Sequence, residues 1–322
     1  MTDAPIIGAV AIGRNEGARL VACLEALQGM VDHIVYVDSG STDDSIAAAR
    51  TAGAHVVELD TSIPFTAARA RNAGLAALRA QMPQVSHVQF LDGDCVLQPG
   101  WIETARDFLL DHPQVAVACG RRREKFPQNS LYNRLIDAEW DTPVGEARAC
   151  GGDALMRIDA LEEVGGYRDS LIAGEEPELC VRLRGHGWKI WRLDAEMTLH
   201  DANLTRFGQW WRRAQRGGHA YAEGAALHGA PPERHKVRET RSALLWGAAL
   251  PTLALLGGLL VSPWALTLLL AYPAQMLRMR FKGTPWPQAV FIVLAKLPEA
   301  QGVLQYWSKR LRGTESTLIE YK

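Results

Sequence analysis

From Ala243 to Leu277 the chain runs for 35 residues, positions 243 through 277, without an Asp, Glu, Lys or Arg. A helix needs about 20 apolar residues to cross the hydrocarbon core of a bilayer. The Ser262-Pro263 step near the middle breaks the run into two arms of roughly that size. The run therefore predicts a helical hairpin over 243–277 that either spans the membrane or, because its second arm is short, re-enters it; the alternative is a soluble helical subdomain. Arg238 and Arg241 precede the run and Arg278, Arg280 and Lys282 follow it, which places both ends on the cytoplasmic side of a cell inner membrane. Residues 286–299 are apolar but include Lys296, which predicts an amphipathic helix lying in the interface. The membrane region is thus expected at 243–322, behind a polar linker at 226–242 that contains Pro231-Pro232.

The preceding residues, 1–225, have a different grammar. Short β-rich apolar runs at Ile6–Ile12, His33–Val37, His55–Leu59, His87–Leu91 and Val115–Ala118 alternate with helical patterns at Gly17–Leu27, Asp44–Ala52, Thr66–Ala80 and Trp101–Leu110. That alternation predicts an α/β domain with a mostly parallel, doubly wound sheet. In such sheets ligands bind beyond the carboxyl ends of the strands. The 35 basic and 36 acidic residues nearly cancel, which speaks against nucleic acid as a partner. Five cysteines are scattered without a CxxC pair, so neither a zinc site nor a disulfide framework is indicated. Met1–Pro5 lead directly into an apolar run with no basic leader, which predicts a first domain that stays in the cytosol.

Three predicted strand ends carry polar groups. Asp92-Gly93-Asp94 follows the fourth run; alternate carboxylates there could converge on one hard divalent cation that keeps positions open for phosphate oxygens, although Asp-Gly is also a common turn dipeptide. Ile12-Gly13-Arg14-Asn15-Glu16 follows the first strand and Asp38-Ser39-Gly40-Ser41-Thr42-Asp43 the second. Asp38 could accept from a uracil N3 or a ribose hydroxyl, while Ser41, Thr42 and Asp43 suit a helix N-cap. Glu16 is either a ligand contact or a first-turn acid. Arg71-Asn72 interrupts an alanine-rich helix. An arginine stretch, Arg121 to Arg123, and the glycine-rich Cys150-Gly151-Gly152-Asp153 come later. Downstream, His200 is either a further metal ligand or a structural histidine.

As a set, Asn15-Glu16, Asp38 to Asp43, Asp92-Gly93-Asp94, Gly151 to Arg157 and Glu175-Glu176 resemble family 2 glycosyltransferases, which have the GT-A fold, over roughly residues 5–225. The resemblance implies an inverting transferase in which one carboxylate deprotonates the attacking hydroxyl. Glu176 stands where the family has Asp, so the base is Glu176 or its neighbour Glu175; Pro177 fits the first turn of the helix they open. It further implies donor contacts from Ile12, Arg14, Glu16, Asp38, Arg71, Asp92 and Gly93, with Arg212 and Arg213 on the diphosphate. Asp94, Asp92 and His200 would hold Mn2+ or Mg2+, and Gly151, Gly152 and Asp153 would face the acceptor. Gln209 and Arg212 match the family's QxxRW motif, but Arg213 replaces its tryptophan, which favours transfer of one sugar over processive synthesis. The expected reaction moves a sugar from a nucleotide sugar, a UDP-sugar by preference, to a lipid-linked or glycan acceptor near the membrane in surface polysaccharide or glycolipid synthesis. A non-catalytic nucleotide-sugar or glycan-binding membrane protein is the alternative from another class.

Overall fold

The computed structural model describes residues 5–314 and 318–320; the leader-free reading rests mostly on residues 1–4, which lie outside them. Two compact units are present, Met1–Thr205 and Arg206–Lys322.

The first unit is a nine-stranded sheet in the order β3-β2-β1-β4-β8-β6-β9-β5, with β7 paired to β9. Strands β1 (Ile7–Gly13), β2 (His33–Asp38), β3 (His55–Glu58) and β4 (His87–Asp92) are parallel and alternate with helices α1 (Ala18–Leu27), α2 (Ser45–Thr51) and α3 (Ala67–Gln81). Their centres are β-branched and apolar because both faces are covered: Val10, Val35, Val37, Val88 and Phe90 are all fully buried. Helix α3 lies close on β1, and a side chain at Gly74 would collide with Val10. Thr66 caps α3, its Oγ1 accepting from the Arg69 N–H at 3.1 Å. Then follow β5 (Cys95–Leu97), α4 (Trp101–Asp111), β6 (Val115–Glu124), α5 (Leu131–Glu139), β7 (Gly145–Ala147), β8 (Ala154–Arg157), α6 (Ile158–Glu163), α7 (Glu175–Gly185) and β9 (Lys189–His200). Here the expected parallel pattern gives way: β8 is antiparallel to both β4 and β6, and β9 is antiparallel to β5 and β7. The first half of the sheet is wound by βα crossovers and the second half by reversals, so the sheet is mixed.

The parallel register fixes the functional edge. Ile12 pairs with Val37 on one side and Asp92 on the other, and Gly13 pairs with Asp38. The carboxyl ends of β2 and β4 therefore flank that of β1.

The second unit begins with α8 (Phe207–His228), so the division falls ahead of the expected boundary at 225. Its physical cause is packing within the unit. Helix α8 lies against α13 (Lys296–Leu311) so tightly that a Cβ at Gly218 would strike the Glu299 backbone and one at Gly302 the Gln215 backbone. Small residues permit this approach. Trp211 donates to Gln301 Oε1 at 3.0 Å, and His219 meets Tyr306 edge to face. Residues 286–299 are consequently not one interfacial helix: α12 (Trp286–Leu294) ends, and Lys296 opens α13, whose Ala300, Val303 and Tyr306 are buried in the unit's own core. The predicted hairpin is also revised. Its first arm starts earlier, as α9 (Val237–Leu244), a π-helical turn at Leu245–Ala249 and α10 (Leu250–Leu260) run on as a 24-residue helix, Val237–Leu260. Among the described residues this is the one helix long and apolar enough to cross a membrane. The Ser262-Pro263 break is where expected, but the second arm divides into a 3-10 helix, Pro263–Leu270, and α11 (Ala271–Phe281). Leu253, Leu259, Val261, Trp264 and Leu270 are more than half exposed on this segment.

Candidate active site

Two networks form at the carboxyl edge of the sheet in the first unit. Around β2, the Asp38 carboxylate is consumed by its own loop. Oδ1 accepts from the N–H groups of Gly40 (2.9 Å) and Ser41 (2.7 Å), and Oδ2 accepts from Tyr36 Oη (3.0 Å) and Ser41 Oγ (2.5 Å). Asn15, in the left-handed region at φ 56°, ties the β1 loop to the same turn: its Oδ1 accepts from Thr42 N at 2.7 Å and its N–H donates to Ser41 Oγ at 2.9 Å. Asp38 is 1% exposed, and these four bonds make it the organiser of its loop. The caps are redistributed as well. Asp44 occupies the N-cap of α2 without a side-chain bond, and Asp43 Oδ1 instead accepts from Ser45 N at 3.0 Å. Arg14 stays on the exposed rim of this loop, over the Phe65 ring at 5.0 Å.

Around β4 the carboxylates are shared rather than saturated. Arg71, 1% exposed on α3, donates from Nη2 to Asp92 Oδ1 at 2.9 Å and from Nη1 to Glu175 Oε1 at 2.8 Å, and lies 3.2 Å from Glu176 Oε1. Arg122 on β6 reaches Asp92 Oδ2 at 3.2 Å and Asp153 Oδ2 at 3.6 Å, and packs over Trp140 at 4.8 Å. Gly152 stands where these groups meet: a Cβ there would lie 3.1 Å from Arg71 Nη2, 3.2 Å from Asp92 Oδ2 and 3.2 Å from Glu176 Oε1. Any side chain would push between the guanidinium and the carboxylates.

The DxD pair diverges in role. Asp94 Oδ2 faces His200 Nε2 at 3.3 Å, because β5 pairs antiparallel with β9 and sets Cys95 opposite His200. One donor atom from each of Asp92, Asp94, Cys95 and His200 lies within 4.8 Å of the others. This group fits a hard or borderline divalent cation. Burial raises the Cys95 thiol well above its ordinary pKa, and Arg122 donates to its sulfur at 3.4 Å. His200 Nδ1 is buried without a hydrogen-bond partner and lies 3.7 Å from Glu124 Oε2. A carboxylate behind the far ring nitrogen is the usual arrangement of a metal-binding histidine. Glu124 itself is fixed by the N–H groups of Phe126 and Ala202.

The electrostatics separate the acids. Burial pushes Asp92 upward, but Arg71 and Arg122 outweigh it and hold the carboxyl below the usual carboxylate range. Glu176 goes the other way, raised to about 7 by burial first and by the neighbouring Glu175 second, against the opposing pull of Arg71. Two carboxyls on one arginine are thus poised differently.

Of the residues expected to act, Asp92, Gly93, Asp94, His200, Glu175, Glu176, Gly152 and Glu16 converge. Glu16 borders Gly93, 3.4 Å from where a Cβ would sit, and pairs with Arg19 at 2.7 Å. Ile12 contributes its carbonyl, accepting from Gly93 N at 2.7 Å. Arg71 is buried and anchors the acids. Asp153 is 1% exposed and accepts from Thr198 Oγ1 at 2.7 Å and Asp92 N at 3.3 Å. Gly151 is exposed at φ 90°. Arg212 and Arg213 lie on α8 in the second unit. Sequence reasoning gave no role to Arg122, Trp140, Thr198 or Glu124. For Arg122 and Glu124 the signal was available in charges continuing directly from the apolar run at 115–118 into one strand.

The profile described as "Glycosyl transferase family 2" matches residues 11–165. Among curated proteins, the chain is 28% identical over 193 residues to the succinoglycan biosynthesis protein ExoA of Rhizobium meliloti, covering 56% of this chain and 58% of that protein. It is 27% identical over 226 residues to a pre-mycofactocin glycosyltransferase of Mycobacterium tuberculosis, covering 64% of this chain and 45% of that one. The chain thus spans about half the length of the curated relatives it matches. Among solved structures, the mannosyltransferase PcManGT from Pyrobaculum calidifontis, in complex with GDP-Man and Mn2+, aligns with TM-score 0.65 and 19% identity over 96% of this chain and 89% of that one. Glucosyl-3-phosphoglycerate synthase from Mycobacterium tuberculosis, in complex with phosphoglyceric acid, aligns with TM-score 0.53 and 18% identity over 70% and 81%. These likenesses show the GT-A fold. Residues 11–165, within the first unit, thus match glycosyltransferase family 2.

Proposed function

We propose that the protein is an inverting glycosyltransferase that moves one sugar from a nucleotide-sugar donor to a lipid-linked or membrane-proximal glycan acceptor in surface polysaccharide or glycolipid synthesis. The observation that carries this reading is the meeting of a metal-capable pair, Asp94 and His200, with the acid pair Glu175 and Glu176 through Asp92 and Arg71. Bound Mn2+ or Mg2+ would neutralise the charge that develops on the departing nucleoside diphosphate. Glu176, with its raised pKa, is suited to take the proton of the acceptor hydroxyl as that oxygen bonds to the anomeric carbon and the bond to the diphosphate oxygen breaks. Arg71 holds Asp92, Glu175 and Glu176 in register and prevents their mutual repulsion from dispersing them. Asp92, Asp94 and Gly93 face the donor, together with Arg14 and Glu16 on the β1 loop. A UDP-sugar is the favoured donor. Gly151 and Gly152 border the acceptor side.

Support for a membrane setting comes from Val237–Leu260, whose leucines are largely exposed. The reading places the enzyme at the cytoplasmic face of the cell inner membrane. Purified protein offered nucleotide sugars with Mn2+ or Mg2+ should release free nucleotide. Asp94→Ala should abolish the metal-dependent release, while Glu176→Gln should bind donor and turn it over far more slowly. Full activity in both variants would sink the assignment.

A further inference from the structure

Besides the catalytic edge, the first unit has a polar cavity of about 390 Å³ on β6 and β9, lined by Arg121, Asp141, Thr142, Arg192, Asp194 and Glu196 among others. That is within the roughly 300–1,000 Å³ of small-molecule sites. Its placement relative to the reaction centre follows from strand geometry. In β9 the Met197 side chain packs beside Gly120 and Trp101 on the apolar side, while Arg192, Asp194, Ala195 and Glu196 line the cavity. The pairing of β9 with β6 shifts register here, setting Arg121 opposite Glu196, Arg122 opposite Thr198 and Glu124 opposite His200. Thr198 and His200 belong to the centre, through Asp153 and Asp94. The cavity therefore lies farther along the same pair of strands as the centre. At about 3.3 Å per residue, Glu196 lies about 13 Å and Arg192 at most about 26 Å from His200 along the strand.

One segment roofs both places. Trp140 meets His200 edge to face and lies over Arg122 at the centre, and the next residues, Asp141 and Thr142, wall the cavity. Arg121 Nη1 lies 3.6 Å from Asp141, and Arg192 donates to the Thr142 carbonyl. Two guanidinium nitrogens, Arg121 Nη1 and Arg192 Nε, are buried with no hydrogen-bond partner, although the Arg192 side chain is only 6% exposed. Such atoms are rare in native proteins and call for a ligand or solvent that satisfies them.

We infer that this cavity is a distal acceptor subsite that holds a sugar ring beyond the one bearing the attacking hydroxyl. The inference rests on the glycosyltransferase reading above. The chemistry of the wall selects the ligand. Two guanidiniums offer only donors and three carboxylates only acceptors. Hydroxyl groups do both, so a neutral polyhydroxylated ring satisfies the whole set. A phosphate would meet two positive charges and three negative ones and is disfavoured. The donor nucleotide is disfavoured by position: β9 is five strand steps from β2 in the sheet, about 24 Å at the usual spacing. Glu196 and Arg192 are farther from His200 than one ring spans, so the acceptor class is an oligosaccharide, free or carried on a larger molecule.

The test compares monosaccharide, disaccharide and trisaccharide p-nitrophenyl glycosides of glucose, galactose and mannose. Binding to the full chain is followed by saturation-transfer NMR, and turnover by nucleotide release from UDP- and GDP-sugars with Mn2+. At least one disaccharide or trisaccharide should bind and react about tenfold better in kcat/KM than its monosaccharide. In Asp194→Asn/Glu196→Gln that ratio should fall to within about twofold. The ratio is read within each protein, so a general loss of activity cancels, and both substituted side chains are exposed enough to spare the fold. No preference for the longer glycosides in the wild type, or an unchanged ratio in the double variant, would overturn the subsite. Absent nucleotide release from any donor would instead count against the transferase reading, and the NMR comparison would still decide the subsite.

Discussion

Two carboxylates end the strands on either side of β1 and do opposite things. Asp38 closes β2, and four donors from Tyr36, Gly40 and Ser41 saturate it. Asp92 closes β4 and shares the buried Arg71 and the half-buried Arg122 with Asp153, Glu175 and Glu176. The first arrangement spends its hydrogen bonds on holding a loop. The second leaves a cluster of acids whose charges are balanced only in sum, which is the condition under which pKa values are pushed apart and a cation or a proton can be exchanged. Equivalent positions at a strand end therefore do not imply equivalent roles; the donors around each acid decide.

That contrast can be broken from either side. The largest effect is expected at the shared cluster. Asp94→Ala should take metal-stimulated nucleotide release down to background, measured by titrating Mn2+ against both proteins. Glu176→Gln should lower kcat by about 10²–10⁴, the usual range for a lost general base, with donor affinity by calorimetry unchanged. Arg71→Met should cost about 3–5 kcal/mol in denaturant unfolding, because it strands buried acids without their counter-charge. Asp38→Asn, in the saturated network, should cost about 1–3 kcal/mol through its unmatched donors and change kcat less than either active-site substitution.

The pH dependence sharpens the same comparison. If Glu176 is the base, kcat/KM should rise with pH toward a plateau above about 7, and the limb should vanish in Glu176→Gln. The stability effect has the opposite sign. A carboxyl raised in the folded state binds its proton more tightly there, so its contribution is complete below the unfolded value of about 4.3 and is lost as pH rises through about 7. Unfolding of the wild type and of Glu176→Gln, compared at pH 5 and pH 8, should show the variant gaining relative stability at the higher pH.

How legible this was in the sequence differs along the chain. The βα half was readable because each crossover brings periodic apolar runs and each strand end announces itself with polar residues, as at Asn15, Asp38 and Asp92. The acid pair was readable because Pro177 marks the first turn of α7. What could not be read was which acids face donors. Asp38 and Asp92 look alike in the chain, and only the register that sets β2 and β4 on either side of β1, with Arg71 rising from α3, distinguishes them. Arg122 and Glu124 escaped because the strands that bring them to Asp92 and His200, the antiparallel β8 between β4 and β6 and the parallel β9 beside β6, are distant in sequence. In the second unit the apolar run gave the helix at Val237–Leu260 but not the packing of α8 on α13, which depends on Gly218 and Gly302 and carries no periodic signal.

The central claim is that Asp92, Asp94 and His200 together hold a divalent cation for sugar transfer beside Glu176. The most direct measurement is nucleotide release from a panel of nucleotide sugars, with chelator, Mg2+ or Mn2+, by wild type and by Asp94→Ala at matched folded protein. The account predicts release from at least one donor that requires the cation and disappears in the variant. Release that persists in chelator at the full rate, or that Asp94→Ala leaves intact, would contradict it.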